Sequence, residues 1–259
     1  MTIGKSKKII KKKGAKKSRD PFEKKVWFNV KAPNIFTKRF ICKTPVNPTS
    51  GGKTSESSLL GRVYEVSLGD LNNDESKAYM LFKFRTELVQ GDECLTDFYG
   101  MRFTTDKVQS LLRKWHTLIE GNVNVQTSDG YTLRLFCVAF TKRSKYQIKK
   151  TSYAKASQIR EIRKRMVETM VKEASCTHKN LVLKLVSESV GKEVEKACRE
   201  IYPLQNVYIR KVKVLKTPKV SSEQILELHK DVSKKELKEE IKAVTEKPEE
   251  VGEKVERKD

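Results

Sequence analysis

Positive charge in this chain is gathered into blocks that flank a nearly neutral middle, and that segregation limits how the chain can fold. Residues 61–135 carry nine basic and eleven acidic side chains, whereas residues 140–165 carry ten basic side chains and one acid. Residues 1–20 hold nine cations against one acid, and residues 205–220 hold five against none. A surface charged only for solubility interleaves both signs. Blocks of like charge cannot enter a core without partners. The neutral middle is therefore expected to build the core, and the flanking blocks to be displayed from it as a directed electrostatic surface.

The full balance is 55 Lys plus Arg against 33 Asp plus Glu, a net charge of +22 over 259 residues. The hydrophobic fraction, 37%, still lets a core of about 150–200 residues close. A chain this basic seeks a polyanion, which makes nucleic acid the default partner and disfavours an ordinary metabolic enzyme. No stretch reaches the ~20 apolar residues of a membrane span, and the Lys-rich start has no apolar segment of a secretory signal. No membrane partner is expected. Five scattered cysteines, Cys42, Cys94, Cys137, Cys176 and Cys198, read as reduced thiols of an intracellular protein.

The organisation expected is a basic disordered tail at 1–19, a globular α+β domain at 20–230 and a Lys/Glu-rich tail at 231–259. Strands are expected at 25–31, 34–43, 62–68 and 77–89, the last pairing with 95–103 across a turn at Gln90, Gly91 and Asp92. Residues 44–58, rich in Pro, Gly, Ser and Thr, read as a mobile loop. A helix is expected from a Thr104 or Thr105 cap, with Val108, Leu111, Leu112, Trp115, Leu118 and Ile119 on one face and Gly121 ending it. Asp129–Gly130 between the alternating runs 122–127 and 131–141 predicts a hairpin. Further helices are expected at 151–173, capped by Ser152, and at 178–186, 189–201 and 221–229, with a strand at 206–215 that keeps one basic face. Strands first and helices later, with no regular βαβ rhythm, favour α+β architecture.

Residues 142–165, KRSKYQIKKTSYAKASQIREIRKR, interleave ten cations with Tyr146 and Tyr153 and run on into a helix. Cations contact phosphates and tyrosines stack on unpaired bases, so this segment is the expected RNA-binding surface. The residues assigned to it are Lys142, Arg143, Lys145, Lys149, Lys150, Tyr153, Arg160, Arg163, Lys164 and Arg165. The tail adds Lys5, Lys7, Lys8, Lys11, Lys12, Lys13, Lys16 and Lys17, a nuclear-import or RNA-threading sequence. Arg210, Lys211, Lys213 and Lys216 are weaker candidates, because a solvent-facing strand explains them almost as well. Ser50–Thr54 lacks P-loop spacing, and Cys176 with His178 has no second ligand pair at zinc spacing. Three histidines leave little acid–base machinery; His116 reads as a structural helix residue, and Trp27 and Trp115 as core anchors. No cofactor, metal or catalytic residue is expected.

Ten collinear stretches resemble one family. They include DPFEKKVWFNVKAP at 20–33, GRVYEVSLGDLNND at 61–74, FYGM at 98–101 and DGYTLRLFCVAF at 129–140. They continue with QIKKTSYA at 147–154, GKEVEKACREIYP at 191–203, VYIRKVKVLK at 207–216 and ELH at 227–229. Together they are similar to the S-three-a, or S-one-e, family of small-subunit ribosomal proteins of eukaryotes and archaea. The resemblance implies a non-enzymatic constituent of the small subunit with a curved, barrel-like, mostly antiparallel sheet. It implies a place on the platform near the messenger exit region, bound to small-subunit rRNA and neighbouring ribosomal proteins. Messenger RNA, initiation factors, and nucleolar passage before cytoplasmic service follow from the same resemblance. A free RNA-binding or rRNA-processing factor would share the charge pattern; a nucleic-acid enzyme would need a carboxylate or metal site.

Overall fold

The computed structural model describes residues 20–230 and position 243. Strands β1 (Val26–Lys31), β2 (Phe40–Val46) and β3 (Val63–Ser67) come first, followed by the short helix α1 (Leu68–Asn72). The long hairpin β4 (Met80–Gln90) and β5 (Glu93–Phe103), helix α2 (Thr105–Leu111) and the hairpin β6 (Leu118–Gln126) and β7 (Thr132–Thr141) come next. Helices α3 (Ala156–Ala174), α4 (His178–Ser187) and α5 (Ser189–Cys198) precede strand β8 (Leu204–Lys216) and helix α6 (Ser222–Leu228).

All eight strands share one sheet in the order β2-β1-β5-β8-β7-β6, with β4 on β5 and β3 on β4. Every pairing is antiparallel except β1 with β5. The chain is thus α+β, as its strand-then-helix order indicates. Register shifts in the β1–β2, β4–β5 and β7–β8 pairings bend the sheet. Among the described residues the sheet remains unclosed, with β2, β3 and β6 each paired on one side only.

Helices α3 and α5 pack together, α3 lying against β6 and α5 against β8. Alternation explains this face: Leu133, Leu135 and Cys137 of β7 point inward with Phe82 and Phe84 of β4, and Ile162, Met166 and Met170 of α3 close over them. Helix α4 buries His178, Leu181, Val182, Leu183, Leu185 and Val186, so it is surrounded rather than amphipathic. A smaller core of Phe28, Val30, Val46, Leu59 and Cys94 seals the β1–β2 end.

Several expectations are corrected. The helix expected to reach Gly121 stops at Leu111, and Leu118 already belongs to β6. A ten-residue β7 needs a partner of matching length, so the hairpin claims residues 118–121 over their fortuitous helical spacing. Gly121 is a strand residue over which the Met166 and Met170 methyls pack. The strand expected at 34–43 starts only at Phe40; Ile35 and Phe36 are buried from a turn instead. Thr44–Val46 belongs to β2 rather than to a loop, and Leu68 opens α1 behind a Ser67 cap. Helix α3 begins at Ala156, not near Ser152. Trp27 and Trp115 are not core anchors: 48% and 41% of their surfaces are exposed.

Candidate nucleic-acid interface

The basic segment leaves the sheet at Thr141, the buried last residue of β7, and returns at Ala156. The Thr141 hydroxyl donates to the Ser152 carbonyl at 2.6 Å and accepts from the Thr117 N–H at 2.8 Å. The Ser152 N–H donates to the Trp115 carbonyl at 2.8 Å, and the Lys142 N–H to the Pro203 carbonyl at 2.8 Å. Ala154 N–H completes the seam by donating to the Thr117 hydroxyl at 3.0 Å. These bonds cinch the two ends of the loop together, so loss of freedom is built into the folded chain rather than left to binding.

Inside the loop, Gln147 donates through Nε2 to the Thr151 carbonyl at 2.6 Å and the Lys149 carbonyl at 3.0 Å. The Arg143 guanidinium donates to the Gln147 carbonyl at 2.8 Å and the Ile148 carbonyl at 3.1 Å. Arg143 thereby shapes the loop while leaving its charge there. At the tip Tyr146 and Ile148 are 94% and 95% exposed, between the exposed Lys145 and Lys149. Tyr153, 57% exposed, flanks the returning arm.

Trp115 lies beneath this loop with its backbone in the left-handed region, φ 71°, and the Lys150 ammonium stands 4.8 Å from its ring centroid. That contact holds a cation over an aromatic face. His116 is not on a helix; its Nδ1 meets the Thr141 carbonyl at 2.8 Å. Neither role could be found from spacing within one element, since both depend on where the loop folds back.

The first turns of α3 extend the charge. Arg160, Arg163 and Lys164 lie at helical neighbour spacing on an exposed face. Arg163 Nε also donates to the Glu120 carbonyl at 3.0 Å, tying α3 to β6. Arg165 departs from this set and borders a groove between α3 and α5 with Glu168 and Glu193. The structure thus displays Lys142, Arg143, Lys145, Lys149, Lys150 and Tyr153 on the loop and Arg160, Arg163 and Lys164 together along the start of the helix that follows it, while Arg165 borders a different groove. The tail lysines from Lys5 to Lys17 lie outside the described residues. Arg210 is engaged by Glu120 at 2.9 Å.

Cys176 and His178 are structural. The Cys176 thiol donates to the Glu173 carbonyl at 3.4 Å, and the buried His178 ring stacks on Tyr131 with centroids 4.1 Å apart.

The model of the ribosomal S3Ae family matches residues 13–218, which spans the sheet, the basic loop and α3 to α5. The chain belongs to the ribosomal S3Ae family. Small ribosomal subunit protein eS1 of Brugia malayi is 56% identical to it over 234 residues, covering 90% of this chain and 91% of the relative. The S3Ae family is one of ribosomal structural proteins, not of enzymes. In this S3Ae chain the cinched loop is scaffold for charge, and no step of bond chemistry is asked of it.

Proposed function

We propose that this chain is a structural constituent of the small ribosomal subunit, where it binds and organises small-subunit rRNA. The observation that carries this reading is the cinched loop at 142–155, which presents Lys142, Lys145, Lys149, Lys150 and Tyr153 from a fixed base beside the cationic start of α3. Family membership supplies the ribosome as context, and the name of the 56% identical relative supplies the small subunit.

The mechanism is electrostatic. Each phosphate neutralised by a Lys or Arg releases condensed counterions, so affinity falls steeply as salt rises. A pre-shaped loop engages folded RNA by shape, and exposed Tyr146 and Tyr153 offer rings on which unpaired bases stack. The N-terminal lysines extend the cationic contact with RNA. The finer reading places the protein on the platform near the messenger exit region, touching neighbouring ribosomal proteins, messenger RNA and initiation factors and supporting subunit assembly and translation initiation. It serves in the cytoplasm after nuclear and nucleolar passage.

Sedimentation of cell extract tests this reading. The chain should co-migrate with small subunits and whole ribosomes and should remain with them through a high-salt wash. Release by the wash would make it a peripheral factor, and absence from ribosomal fractions would overturn the ribosomal role.

A further inference from the structure

The face of the sheet turned away from α3 and α5, which α2 covers only at the Val138–Phe140 end, carries a second cationic surface that no single segment reveals. Glu65, Lys83, Gly100, Lys213, Arg134 and Asn124 are successive lateral partners across β3, β4, β5, β8, β7 and β6. One step along, Arg102 of β5 faces Lys211 of β8, which faces Phe136 of β7. Directly paired residues point to the same side of a sheet, so Lys83, Arg102, Arg134, Lys211 and Lys213 share one face.

A bulge makes this possible. Cys137 pairs with Ile209 while Phe136 pairs with Lys211, leaving Arg210 as the extra residue of β8. Val207 and Ile209 before it, and Val212 after it, all point inward. Strict alternation from Ile209 would have driven Lys211 and Lys213 into the core. The bulge shifts the phase once and returns both lysines to the outer face.

Like charges placed side by side on a sheet are unfavourable unless opposed. Glu65 is the acid in these rows, and Arg102 takes both its oxygens, one of them at 3.1 Å. Burial and then the neighbouring cations Lys213, Lys83, Arg102 and Arg210 hold the Lys211 ammonium below the usual lysine range. Gly100, between Lys83 and Lys213, lets β5 approach β8 closely: a Cβ there would meet the Val212 carbonyl oxygen at 2.8 Å. Lys213 also stands 5.8 Å from the Phe136 ring centroid, so an aromatic surface lies among the cations. With strands ~4.8 Å apart, Lys83 to Arg134 spans about 14 Å. The patch is distinct from the basic loop, because Lys142 lies eight positions beyond Arg134 along β7 and its exit, about 26 Å of strand.

We propose that this outer sheet face, centred on Lys83, Lys211, Lys213 and Arg134, is a second RNA-backbone contact, separate from the loop–helix surface. It rests on the rRNA-binding reading above and gives the protein two points of attachment, which fix its orientation as well as its affinity. An RNA backbone fits better than a small anion because the cations form rows with an aromatic ring between them.

The test is binding of the full chain to purified small-subunit rRNA across a KCl series. A sheet variant, Lys83→Gln with Arg134→Gln, Lys211→Gln and Lys213→Gln, is compared with a loop variant, Lys145→Gln with Lys149→Gln and Lys150→Gln. The proposal expects the sheet variant to lower the slope of log affinity against log salt by about 2–4, at roughly 0.7–0.9 for each phosphate no longer neutralised. Lys213→Gln alone, at an exposed position, should lower it by about 0.7–0.9 and covers the case in which the quadruple variant fails to fold. An unchanged slope in folded sheet variants beside a lowered slope in the loop variant overturns the second attachment and leaves the first standing. A sheet variant that keeps rRNA binding but loses binding of a peptide of residues 231–259 overturns it in favour of the chain's own Lys/Glu-rich tail. Wild-type chain that shows no salt-dependent rRNA binding overturns the rRNA reading itself.

Discussion

The Ser152 N–H donates to the Trp115 carbonyl at 2.8 Å, joining two residues that lie 37 positions apart at the base of the basic loop. Beside them the buried Thr141 hydroxyl serves both arms, Thr117 and Ser152. Thr141→Val keeps the shape but strands a buried N–H and a carbonyl, at a cost of about 3 kcal/mol. For a domain of this size that lowers Tm by about 6–12 °C. Hydrogen exchange at Ser152 and Ala154 should accelerate, and rRNA affinity should fall although no charge has been removed. Unchanged exchange at those amides would show that the loop is held by something else.

Gly191, in the first turn of α5, faces β8 so closely that an added Cβ would collide with the Val207 carbonyl oxygen. Backbone cannot yield as a flexible side chain can. Gly191→Ala should therefore push α5 off the sheet, cost about 3 kcal/mol and reduce soluble yield. Calorimetry of the variant checks this, and a Tm within a degree of wild type would contradict the close approach.

Stability should fall in mild acid, in part through His229. Its Nε2 meets the Thr96 carbonyl at 2.8 Å, and its backbone carbonyl accepts from Arg39. Burial, first of all, holds its pKa below 6.5; Arg39 and Lys31 act in the same direction, while the Thr96 carbonyl and Asp97 oppose them. A histidine with a depressed folded pKa binds more protons unfolded, so its destabilising effect sets in as pH falls through the unfolded value of about 6.5 and stops growing below the folded value. Tm measured from pH 7.5 to 5 should fall less steeply in His229→Gln than in wild type. Parallel curves would exclude His229 as a contributor.

Thiol reactivity should follow burial. Burial pushes the Cys137 thiol up to about 12 and those of Cys94 and Cys198 up to about 11. All five cysteines are free, and Cys42 and Cys176 are the two that are incompletely buried. Timed alkylation of the native protein, read by mass spectrometry, should label Cys42 and Cys176 first. Early labelling of Cys137 would indicate local opening of the main core.

Local signals carried much of this fold. Asp129–Gly130 between alternating runs marks the β6–β7 hairpin, and Gly91 marks the β4–β5 turn. Helices α4 and α5 fall almost where their apolar spacing puts them. The failures share a cause in non-local pairing. Residues 118–121 look helical until a ten-residue β7 claims them. Trp115 looks like a core residue until its backbone is used to hold Ser152. Within the candidate site, the density of cations and tyrosines at 142–165 was legible, whereas its cinched base was not, because Thr117, Thr141 and Ser152 are brought together only by the sheet. The outer cationic face was equally hidden, since Lys83, Arg134 and Lys213 meet through registers set by four different strands.

The most direct measurement of the central claim, that the loop–helix surface holds this chain on the small subunit, is a competition inside cells. Tagged wild type and a tagged variant with Lys142, Lys145, Lys149, Lys150, Arg160 and Lys164 each changed to Gln would be expressed equally, and small subunits collected after a high-salt wash. All six cations are exposed, so the purified variant should keep its Tm. The account predicts at least about a tenfold deficit of the variant in washed subunits. Equal incorporation of a folded variant would contradict it.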